Sequence, residues 1–446
     1  MSRKTPTDVE LEIVSLDEAG LGVAHWQLPQ APHEQREVRV RNALPGEQIT
    51  GRILKRRRGL RFADGLNVIG AAAVSRVSAP CEYFPRCGGC SLQHMDHTAQ
   101  LAFKQGLLEQ ALEQEDVVPA HVRAPTSVNR LGYRRKARLG VRQVGERVMV
   151  GFRESFANRV ADMSQCRTLT PRLSNLLAPL RSMLARLSIA DQIPQIEVAQ
   201  SDSSHDDARV AMILRHLAPL STADERLLGE FAKQHQVEML LQPGGYDTVQ
   251  TLSGSPPSLL AYDLPGYGLY MQFDPRQFTQ VNNLMNQRLV QTVHTYLHRQ
   301  AAKTVLDLFC GIGNFSIPLA RRGWTVTGYE LDPTAIGRAQ ANAQLNGVTS
   351  NTSFHVYDLH KDELALPAVD AWVIDPPRSG VGPQLQGWLD QPDRPAQIAY
   401  VSCNPVSFAA DARKICASGY KLREVGIYDM FPQTAHVETL GHFVRG

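Results

Sequence analysis

The stretch LDLFCGIGNFSIPLA, residues 306–320, reads as a buried strand, a tight glycine turn and the start of a helix. Gly311 and Gly313 allow the backbone of this turn to approach a bound ligand closely. Ser316 stands where the third glycine of the dinucleotide-binding fingerprint would fall. Because a plain strand-to-helix connection can have the same pattern, the meaning of the turn depends on the segments that flank it.

Apolar runs separated by helical segments recur on both sides of this turn. They cover residues 304–309, 325–330, 353–358, 371–375, 398–403 and 422–429. Strands that alternate with helices predict an α/β fold with a mostly parallel sheet that is covered on both faces. Ligands of such sheets bind beyond the carboxyl ends of the strands. The pattern therefore predicts a Rossmann-like domain over residues 265–446, with its ligand site at that rim.

Acidic residues end the second and third of these strands. Glu330 lies nineteen residues after Gly311, where a carboxylate can accept hydrogen bonds from ribose hydroxyls. Asp358 ends the next strand, at the depth of a nucleobase edge. Since a pyrophosphate-binding GxGxxG is absent, we expect an adenosine-containing ligand such as S-adenosylmethionine rather than NAD.

Two residues at the ends of later strands suggest covalent chemistry. Asp375 in VIDPPRSG and Cys403 in YVSCNP lie at the carboxyl ends of the fourth and fifth predicted strands. A cysteine in mid-strand is ordinarily a small core residue, but the proline at 405 ends the strand and leaves this thiol at the lip of the sheet. Glu438 in HVETL is, by spacing alone, a surface carboxylate of an edge strand. At the rim, a thiolate and a carboxylate beside a cofactor predict nucleophilic attack and proton abstraction.

The N-terminal part of the chain has a different pattern. Residues 1–66 read as short alternating strands with glycine and proline turns, which predicts a small β-barrel. The barrel ends in RILKRRRGLR, residues 52–61, in which six of ten residues are basic. Basic runs are usually solvated surface, but a basic edge on a small barrel is also typical of oligonucleotide-binding folds.

A second basic segment lies in the middle region, residues 67–264. Between Arg123 and Arg159 there are ten lysines or arginines against two acids, with interleaved aromatic residues. The net charge of the whole chain is only +3, so these two segments stand out as regions of local positive charge. Two such segments indicate a surface for a polyanion, and we expect nucleic acid to bind there.

Composition limits the class of protein. The chain has 446 residues, 43% hydrophobic and 20% charged, which indicates several globular domains. No run approaches the roughly 18 apolar residues of a membrane span, and the start of the chain has no apolar leader. We therefore expect a cytoplasmic protein without a membrane partner. In that reducing compartment, clustered cysteines favour a metal or redox site over a disulfide.

A cysteine cluster opens the middle region. Cys81, Cys87 and Cys90 lie within APCEYFPRCGGCSLQHMD, and Cys166 is the candidate fourth ligand. His94 is a competing ligand, although a histidine beside a loop is usually polar surface. The spacing does not match the CxxC pairs of zinc ribbons, and four thiolates suit zinc or an iron–sulfur cluster. The residues alone leave both metals open.

The motifs together resemble those of the uracil-C5 RNA methyltransferases. The resemblance covers residues 265–446 through FTQVN (278–282), LDLFCGIGNF, DPPRSG, SCNP and FPQTAHVETL. DPPRSG differs from the DPARAG of some members but keeps the aspartate and the arginine. The N-terminal barrel resembles a TRAM domain, an OB-like RNA-binding module. The cysteine spacing is similar to that of the ribosomal, iron–sulfur branch of the family.

The resemblance implies three domains: a TRAM-like barrel (1–66), a central iron–sulfur α+β domain (67–264) and an S-adenosylmethionine-dependent methyltransferase domain (265–446). A helix near residues 96–116 is expected to pack on the methyltransferase domain. The implied reaction is C5-methylation of one uridine in an unpaired or remodelled segment of 23S ribosomal RNA, performed by a monomer.

The resemblance also implies roles for individual residues. Cys403 would add to C6 of the uracil, and Glu438 would remove the C5 proton. The residues that would line the cofactor and base pocket are Gln280, Phe309, Asn314, Glu330, Asp358 and Asp375. The residues that would hold one 4Fe–4S cluster are Cys81, Cys87, Cys90 and Cys166.

Three alternatives stay open at this level. The enzyme could methylate a uridine of another ribosomal RNA or of a tRNA. DPPR is similar to the D/N-P-P-Y motif of amino-methyltransferases, but the aromatic residue after Pro377 is missing and Cys403 would have no role. A non-catalytic RNA-binding iron–sulfur protein is the third, against which the complete set Glu330, Asp375, Cys403 and Glu438 argues.

Overall fold

The computed structural model describes residues 7–28, 31–205, 208–299, 303–361 and 366–446. Its first strands are β1 (Thr7–Leu16), β2 (Gly22–Leu28), β3 (Ala31–Arg41), β4 (Gln48–Arg57) and β5 (Leu60–Ile69). They close into a barrel in the order β1-β2-β3-β5-β4. Alternating residues point inward and form its core, among them Leu11, Ile13, Val38, Val40 and Ile49. The predicted N-terminal barrel is confirmed.

Strand β5 was not among the strands predicted from the sequence. It continues to Ile69, three residues past the domain boundary predicted at residue 66. It pairs antiparallel with β4 and parallel with β3, and this second pairing closes the barrel. The basic run 52–61 forms the β4–β5 hairpin, with Arg58 and Gly59 at positive φ in the turn. Charged residues at the tip interrupt the apolar alternation, which is why the pattern did not reveal this strand.

Helix α1 (His97–Gln114) follows the cysteine-containing loop and precedes a six-stranded sheet. The strands of this sheet are β6 (Lys136–Val144), β7 (Arg147–Gly151), β8 (Gln195–Gln200), β9 (Val210–Arg215), β10 (Val237–Gln242) and β11 (Gln250–Thr251). Their order is β11-β10-β9-β8-β6-β7. The helices of this region are α2 (Pro171–Ser174), α3 (Leu177–Leu184) and α4 (Thr222–His235). One apolar core joins sheet and helices and includes Cys87 and Cys166.

The C-terminal region begins with a hairpin of β12 (Leu260–Leu264) and β13 (Leu269–Phe273), followed by α5 (Asn283–Arg299). Seven strands then form one sheet: β14 (Thr304–Leu308), β15 (Thr325–Glu330), β16 (Thr352–Val356), β17 (Ala371–Ile374), β18 (Gln397–Ser402), β19 (Tyr420–Tyr428) and β20 (Glu438–Arg445). The helices between them are α6 (Ser316–Arg321), α7 (Pro333–Leu345), α8 (Gln384–Leu389) and α9 (Pro405–Ala417).

The order of this sheet is β16-β15-β14-β17-β18-β20-β19. The first five strands in that order are parallel, and β20 runs antiparallel between β18 and β19. Every residue of β17 and β18 is buried, because helices cover both faces of the sheet. The predicted mostly parallel α/β sheet is confirmed, and each of its six predicted strands overlaps one of β14–β19.

Helix α1 lies outside the C-terminal region in sequence but packs on it, against α9 and β19. Lys104 on this helix is 1% exposed, and its Nζ donates to Asp429 Oδ1 at 2.5 Å and to the Phe431 carbonyl at 3.0 Å. His97 Nε2 lies 3.2 Å from the other oxygen of Asp429. The buried ion pair between Lys104 and Asp429 is therefore part of the interface between α1 and the sheet. Among the helices described, none is long and apolar enough to cross a membrane.

We predict that Lys104→Met lowers the free energy of unfolding by about 3–5 kcal/mol, because it leaves the Asp429 carboxylate buried without its cation. Chemical denaturation measures the change. Arg413→Met is the control, since Arg413 pairs with Glu115 at the end of the same helix but its side chain is 63% exposed. That change should cost less than about 1 kcal/mol. Equal effects of the two variants would contradict the assignment of Lys104 to this interface.

Candidate active site

The glycine turn after β14 is tied to the end of the neighbouring strand. The Gly311 N–H donates to Glu330 Oε2 at 3.2 Å, and the Asp332 N–H donates to Glu330 Oε1 at 3.1 Å. Gly313 has a φ of +88°, and a Cβ there would lie 2.9 Å from the Ile317 side chain. The turn thus requires glycine at this position. Glu330 stands at the rim of the sheet with both carboxylate oxygens oriented by backbone donors.

A buried carboxylate lies beneath this turn that the sequence analysis did not single out. Asp307 in β14 is fully buried and accepts a hydrogen bond from the Ser316 hydroxyl. Burial raises the pKa of Asp307 to about 7, and the nearby charge of Asp375 adds to the increase. Ser316 therefore replaces the third glycine of the fingerprint with a hydroxyl that bonds to the strand. The sequence offered one indication of this residue, because Asp307 is an acidic residue within the apolar run TVLDLF.

Phe309 and Asp358 lie along the same rim. Phe309 directly follows β14 with a φ of +66°, and its half-buried ring lies 5.3 Å from the ring of His360. Asp358 follows β16, where its carboxylate accepts from the His360 N–H at 3.1 Å and from Lys361 Nζ at 3.2 Å. The segment 358–361 thus brings the predicted residue Asp358 next to the predicted residue Phe309.

Asn314 and Gln280 belong to a second group, formed with residues that the sequence analysis missed. The amides of Asn314 and Asn286 exchange two hydrogen bonds of 2.9 Å, and the Tyr262 hydroxyl donates to Asn314 Oδ1 at 3.0 Å. Gln280 lines a small cavity together with Tyr262 and Asn286. No local pattern marks Tyr262 or Asn286, because each contacts Asn314 only through the folding of β12 and α5 onto the glycine turn.

Cys403 lies at a sharp turn between β18 and α9. Asn404 caps the helix by accepting from the Val406 N–H at 3.1 Å, and Pro405 occupies the first helical position. The Asn404 side chain also donates to the Arg378 carbonyl at 3.1 Å. This bond joins the SCNP turn to the DPPRSG loop that carries Asp375. The thiol of Cys403 is half-buried at the lip of the sheet, as the sequence predicts.

Glu438 reaches the same rim from the far end of the chain. It is the first residue of β20, whose neighbour Thr439 is paired with Ser402 of β18. Glu438 therefore lies beside the residue that follows Ser402, which is Cys403. It is 3% exposed, so the alternative of a surface carboxylate does not hold.

Three acidic groups meet at this point of the rim. Burial raises the pKa of Asp375 to about 7, and burial followed by the charge of Asp375 raises the pKa of Glu438 well above its usual range. Burial, together with Glu438 and Asp375, raises the pKa of Cys403 to about 11. Arg378 opposes this increase. A thiol and two carboxyls with raised pKa values at one point of the rim are typical of a site for nucleophilic and acid–base chemistry.

The four cysteines of the predicted cluster line one small cavity, with Phe152 and Met163 among their neighbours. Cys87 and Cys166 are buried, and Cys81 and Cys90 are half-buried. Burial raises the pKa values of Cys87 and Cys90 to about 12. In the part of the chain that the structure describes, no three histidine, cysteine or acidic residues are arranged around the position of a single metal ion.

His94, the competing ligand, does not line this cavity. It is 1% exposed, its ring stacks on Phe84 at 5.3 Å, and Nε2 lies 3.4 Å from the Ala43 carbonyl. Burial lowers the pKa of His94 to about 4. His94 therefore packs between the cysteine loop and the barrel.

Comparisons with known proteins agree on the family. The family model described as tRNA (Uracil-5-)-methyltransferase matches residues 266–366 and 353–445. A protein of Aromatoleum aromaticum is 40% identical and covers 97% of this chain and 99% of its own. A protein of Ralstonia nicotianae is 40% identical and covers 99% of this chain and 100% of its own. Both relatives are named 23S rRNA (uracil(1939)-C(5))-methyltransferase RlmD.

The fold is also similar to a solved structure over nearly its whole length. The Pyrococcus abyssi tRNA (uracil-54, C5)-methyltransferase, solved with S-adenosyl-L-homocysteine, matches with a TM-score of 0.73 and 22% identity, covering 98% of this chain and 100% of that chain. At this identity the match shows the common fold. Together with the full-length relatives, it leads to one conclusion: the chain belongs to the family of RNA uracil-C5 methyltransferases.

Proposed function

We propose that this protein transfers a methyl group from S-adenosylmethionine to C5 of one uridine in 23S ribosomal RNA, the uridine that its relatives' names give as 1939. The observation that carries the proposal is the meeting of Cys403 and Glu438 at the rim of the sheet. A methyltransferase acting on a ring nitrogen or an amine needs no thiol, because its target is already nucleophilic. The C5 carbon of uracil is not, and it needs activation by addition at C6.

In the proposed mechanism the thiolate of Cys403, formed by loss of the thiol proton to solvent, attacks C6 of the uracil. The C5=C6 electrons move toward C5, which becomes nucleophilic. S-adenosylmethionine bound at the glycine turn would supply the methyl group, its S–CH3 bond breaking as C5 attacks and S-adenosylhomocysteine remaining as the leaving product. Glu438 then removes the proton from C5, and the electrons of that C–H bond restore the C5=C6 double bond as the bond between C6 and sulfur breaks. The raised pKa of Glu438 suits a base, since a more basic carboxylate accepts a carbon-bound proton more readily.

The residues proposed for the cofactor fit an adenosine-containing ligand. Glu330 presents oriented carboxylate oxygens to ribose hydroxyls, beside the glycine turn. Phe309 presents a half-buried ring, and the remaining members of the proposed pocket are Gln280, Asn314, Asp358 and Asp375. Asp375 lies between the two groups, because it is next to Cys403 and directly follows β17. We place it where the methyl donor and the target base meet.

The RNA surface is proposed on the two basic segments, which the fold brings together. Lys55 of the barrel hairpin lies over the rings of Phe62 and Phe156, at 5.4 and 5.5 Å from their centroids. Phe156 belongs to the second basic segment, and Arg41 of β3 contacts it from the barrel. Cations interleaved with aromatic rings are suited to single-stranded RNA. The target base would leave its stack to reach Cys403.

We propose further that Cys81, Cys87, Cys90 and Cys166 hold a 4Fe–4S cluster. Their convergence on one cavity supports a shared set of four thiolate ligands, the set that binds such a cluster. The cluster would hold the loop 81–90 against the core of the central sheet, to which Cys87 and Cys166 belong. The domain boundaries, the monomeric state and the cytoplasmic location stay predictions of the sequence.

The function is tested by Cys403→Ala and Glu438→Gln, assayed on a 23S rRNA fragment. Cys403→Ala should abolish methylation and the covalent adduct and change cofactor affinity less than about twofold, because the thiol is needed only for attack on C6. Glu438→Gln should still form the adduct but release it about 10²- to 10⁴-fold more slowly, because the base is lost. A denaturing gel detects the persistent protein–RNA band. Normal turnover by Cys403→Ala would exclude the proposed mechanism.

The raised pKa of Cys403 predicts the pH dependence of its reactivity. Only the thiolate is alkylated, so the rate with iodoacetamide should increase about tenfold per pH unit from pH 7 to 9 without levelling off. Glu438→Gln removes one of the two acidic groups that raise the pKa of Cys403, so its alkylation should be faster than in the wild type. Mass spectrometry of the peptide that contains Cys403 measures both rates. A plateau near pH 8.5 in the wild type would contradict the burial of this thiol.

The proposed 4Fe–4S cluster predicts the iron content of the purified protein. Protein purified without oxygen should be brown and contain about four irons per chain. Serine at any one of the four cysteines should lower the iron content, whereas His94→Asn should not, because His94 lies outside the cavity. If the purified protein contains stoichiometric zinc and no iron, the four cysteines form a zinc site and the proposed cluster is wrong. Full metal content in Cys166→Ser would remove that residue from the ligand set.

A further inference from the structure

Residues 429–437, the connection between β19 and β20, lead directly to Glu438. We call them the approach segment. It is longer than an ordinary hairpin loop, yet it is largely buried, including Asp429, Met430, Gln433 and Thr434. Because the position of Glu438 follows from where this segment enters β20, the contacts that hold the segment also affect the base.

The loop that contains Cys81, Cys87 and Cys90 and continues to helix α1 supplies one set of these contacts. The N–H groups of Ser91 and Leu92 both donate to the Gln433 carbonyl at 3.0 Å. In the other direction, the Ala435 N–H donates to the Ser91 hydroxyl at 3.0 Å. Gln433 has a φ of +70°, an unusual conformation for a residue other than glycine. The two residues that follow Cys90 therefore stabilise the backbone of the approach segment at its most strained point.

The second basic segment and helix α1 supply the other contacts. Tyr133, 2% exposed, donates from its hydroxyl to the Pro432 carbonyl at 2.9 Å. Arg134 lies between the rings of Phe152 and Phe431, at 5.8 Å from each centroid. From α1, the Gln100 amide donates to Gln433 Oε1 at 3.1 Å. Groups from outside the C-terminal sheet thus bond to the segment at consecutive residues.

We propose that Tyr133 and Ser91 are positioning residues for Glu438, so that the central region controls the removal of the C5 proton. The inference rests on the proposed role of Glu438. Each residue bonds to the approach segment and neither is in the rim itself. A proton transfer from carbon requires the carboxylate within hydrogen-bond reach of C5, and small displacements of a catalytic group have large effects on rate. Attack by Cys403 does not depend on this segment, since its turn is held by Asn404 and Arg378.

The chain offers a matched pair of tyrosines for the test. Tyr133→Phe removes the hydroxyl that bonds to the Pro432 carbonyl. Tyr83→Phe removes a hydroxyl on the loop 81–90 that bonds instead to Ser164, to its Oγ at 2.8 Å and its N–H at 3.0 Å. Both variants lose one hydroxyl beside the cysteines, but only Tyr133 contacts the approach segment. Ser91→Ala and Ser91→Thr form a second pair, in which threonine keeps the hydroxyl.

Two RNA substrates separate the two steps. On RNA with tritium at C5 of the target uridine, tritium release reports removal of the C5 proton. On RNA with 5-fluorouridine there, C5 carries no proton, so the trapped adduct reports attack and methyl transfer alone. Tyr133→Phe and Ser91→Ala should slow tritium release about fivefold to twentyfold, the loss of one hydrogen bond to the segment. Their KM, their trapping rate and their iron content should stay within about twofold of the wild type.

Tyr83→Phe and Ser91→Thr should release tritium at the wild-type rate. A Tyr133→Phe protein that slows trapping and tritium release equally would overturn the inference, as would one that releases tritium normally. Glu438→Gln is measured in the same series. If Glu438→Gln forms no persistent adduct on uridine RNA, the proposed role of Glu438 fails. If Glu438→Gln forms that adduct while Tyr133→Phe and Ser91→Ala behave as wild type, only the positioning inference fails.

Discussion

The pairing of β20 with β18 is the constraint on which the active site depends. Strand β20 enters the sheet antiparallel between β18 and β19, with Thr439 opposite Ser402. In this register Glu438 and Cys403 are neighbours although they are far apart in the chain. A slip by one residue would turn the side chain of Glu438 to the other face of the sheet. Complete burial of β18 on both faces opposes such a slip, so the packing of the core also sets the geometry of the chemistry.

The same arrangement places carboxyl groups where they are costly. Asp307, Asp375 and Glu438 are withdrawn from water within one part of the sheet, and their pKa values increase as a result. A core selected only for stability would have apolar residues at these positions. Burial of the apolar cores on both faces of the sheet offsets this destabilisation. The rim is thus a region where basicity and reactivity are obtained at the expense of folding free energy.

The sequence predicts well what depends on local pattern. The parallel strands were predictable because burial on both faces produces continuous apolar runs, and Cys403 was predictable because Asn404 and Pro405 end a strand in a recognisable way. Strand β5 was not predicted, because the basic residues of the β4–β5 hairpin interrupt its apolar alternation. Tyr262, Asn286 and the contacts of the approach segment could not be predicted, because each joins distant parts of the chain and leaves no periodicity. Glu438 was placed at the rim only by the resemblance to a family.

Helix α1 also has a consequence for how the molecule is assembled on the ribosome. Its buried partners Asp429 and Gln433 lie 325 and 333 residues downstream of Lys104 and Gln100. At a synthesis rate of about 5–20 residues per second, α1 waits on the order of tens of seconds before these partners are made. During that time its core residues Leu108 and Leu112 have no sheet on which to pack. Docking of α1 is therefore a late event, and the approach segment is completed only when nearly the whole chain has been translated.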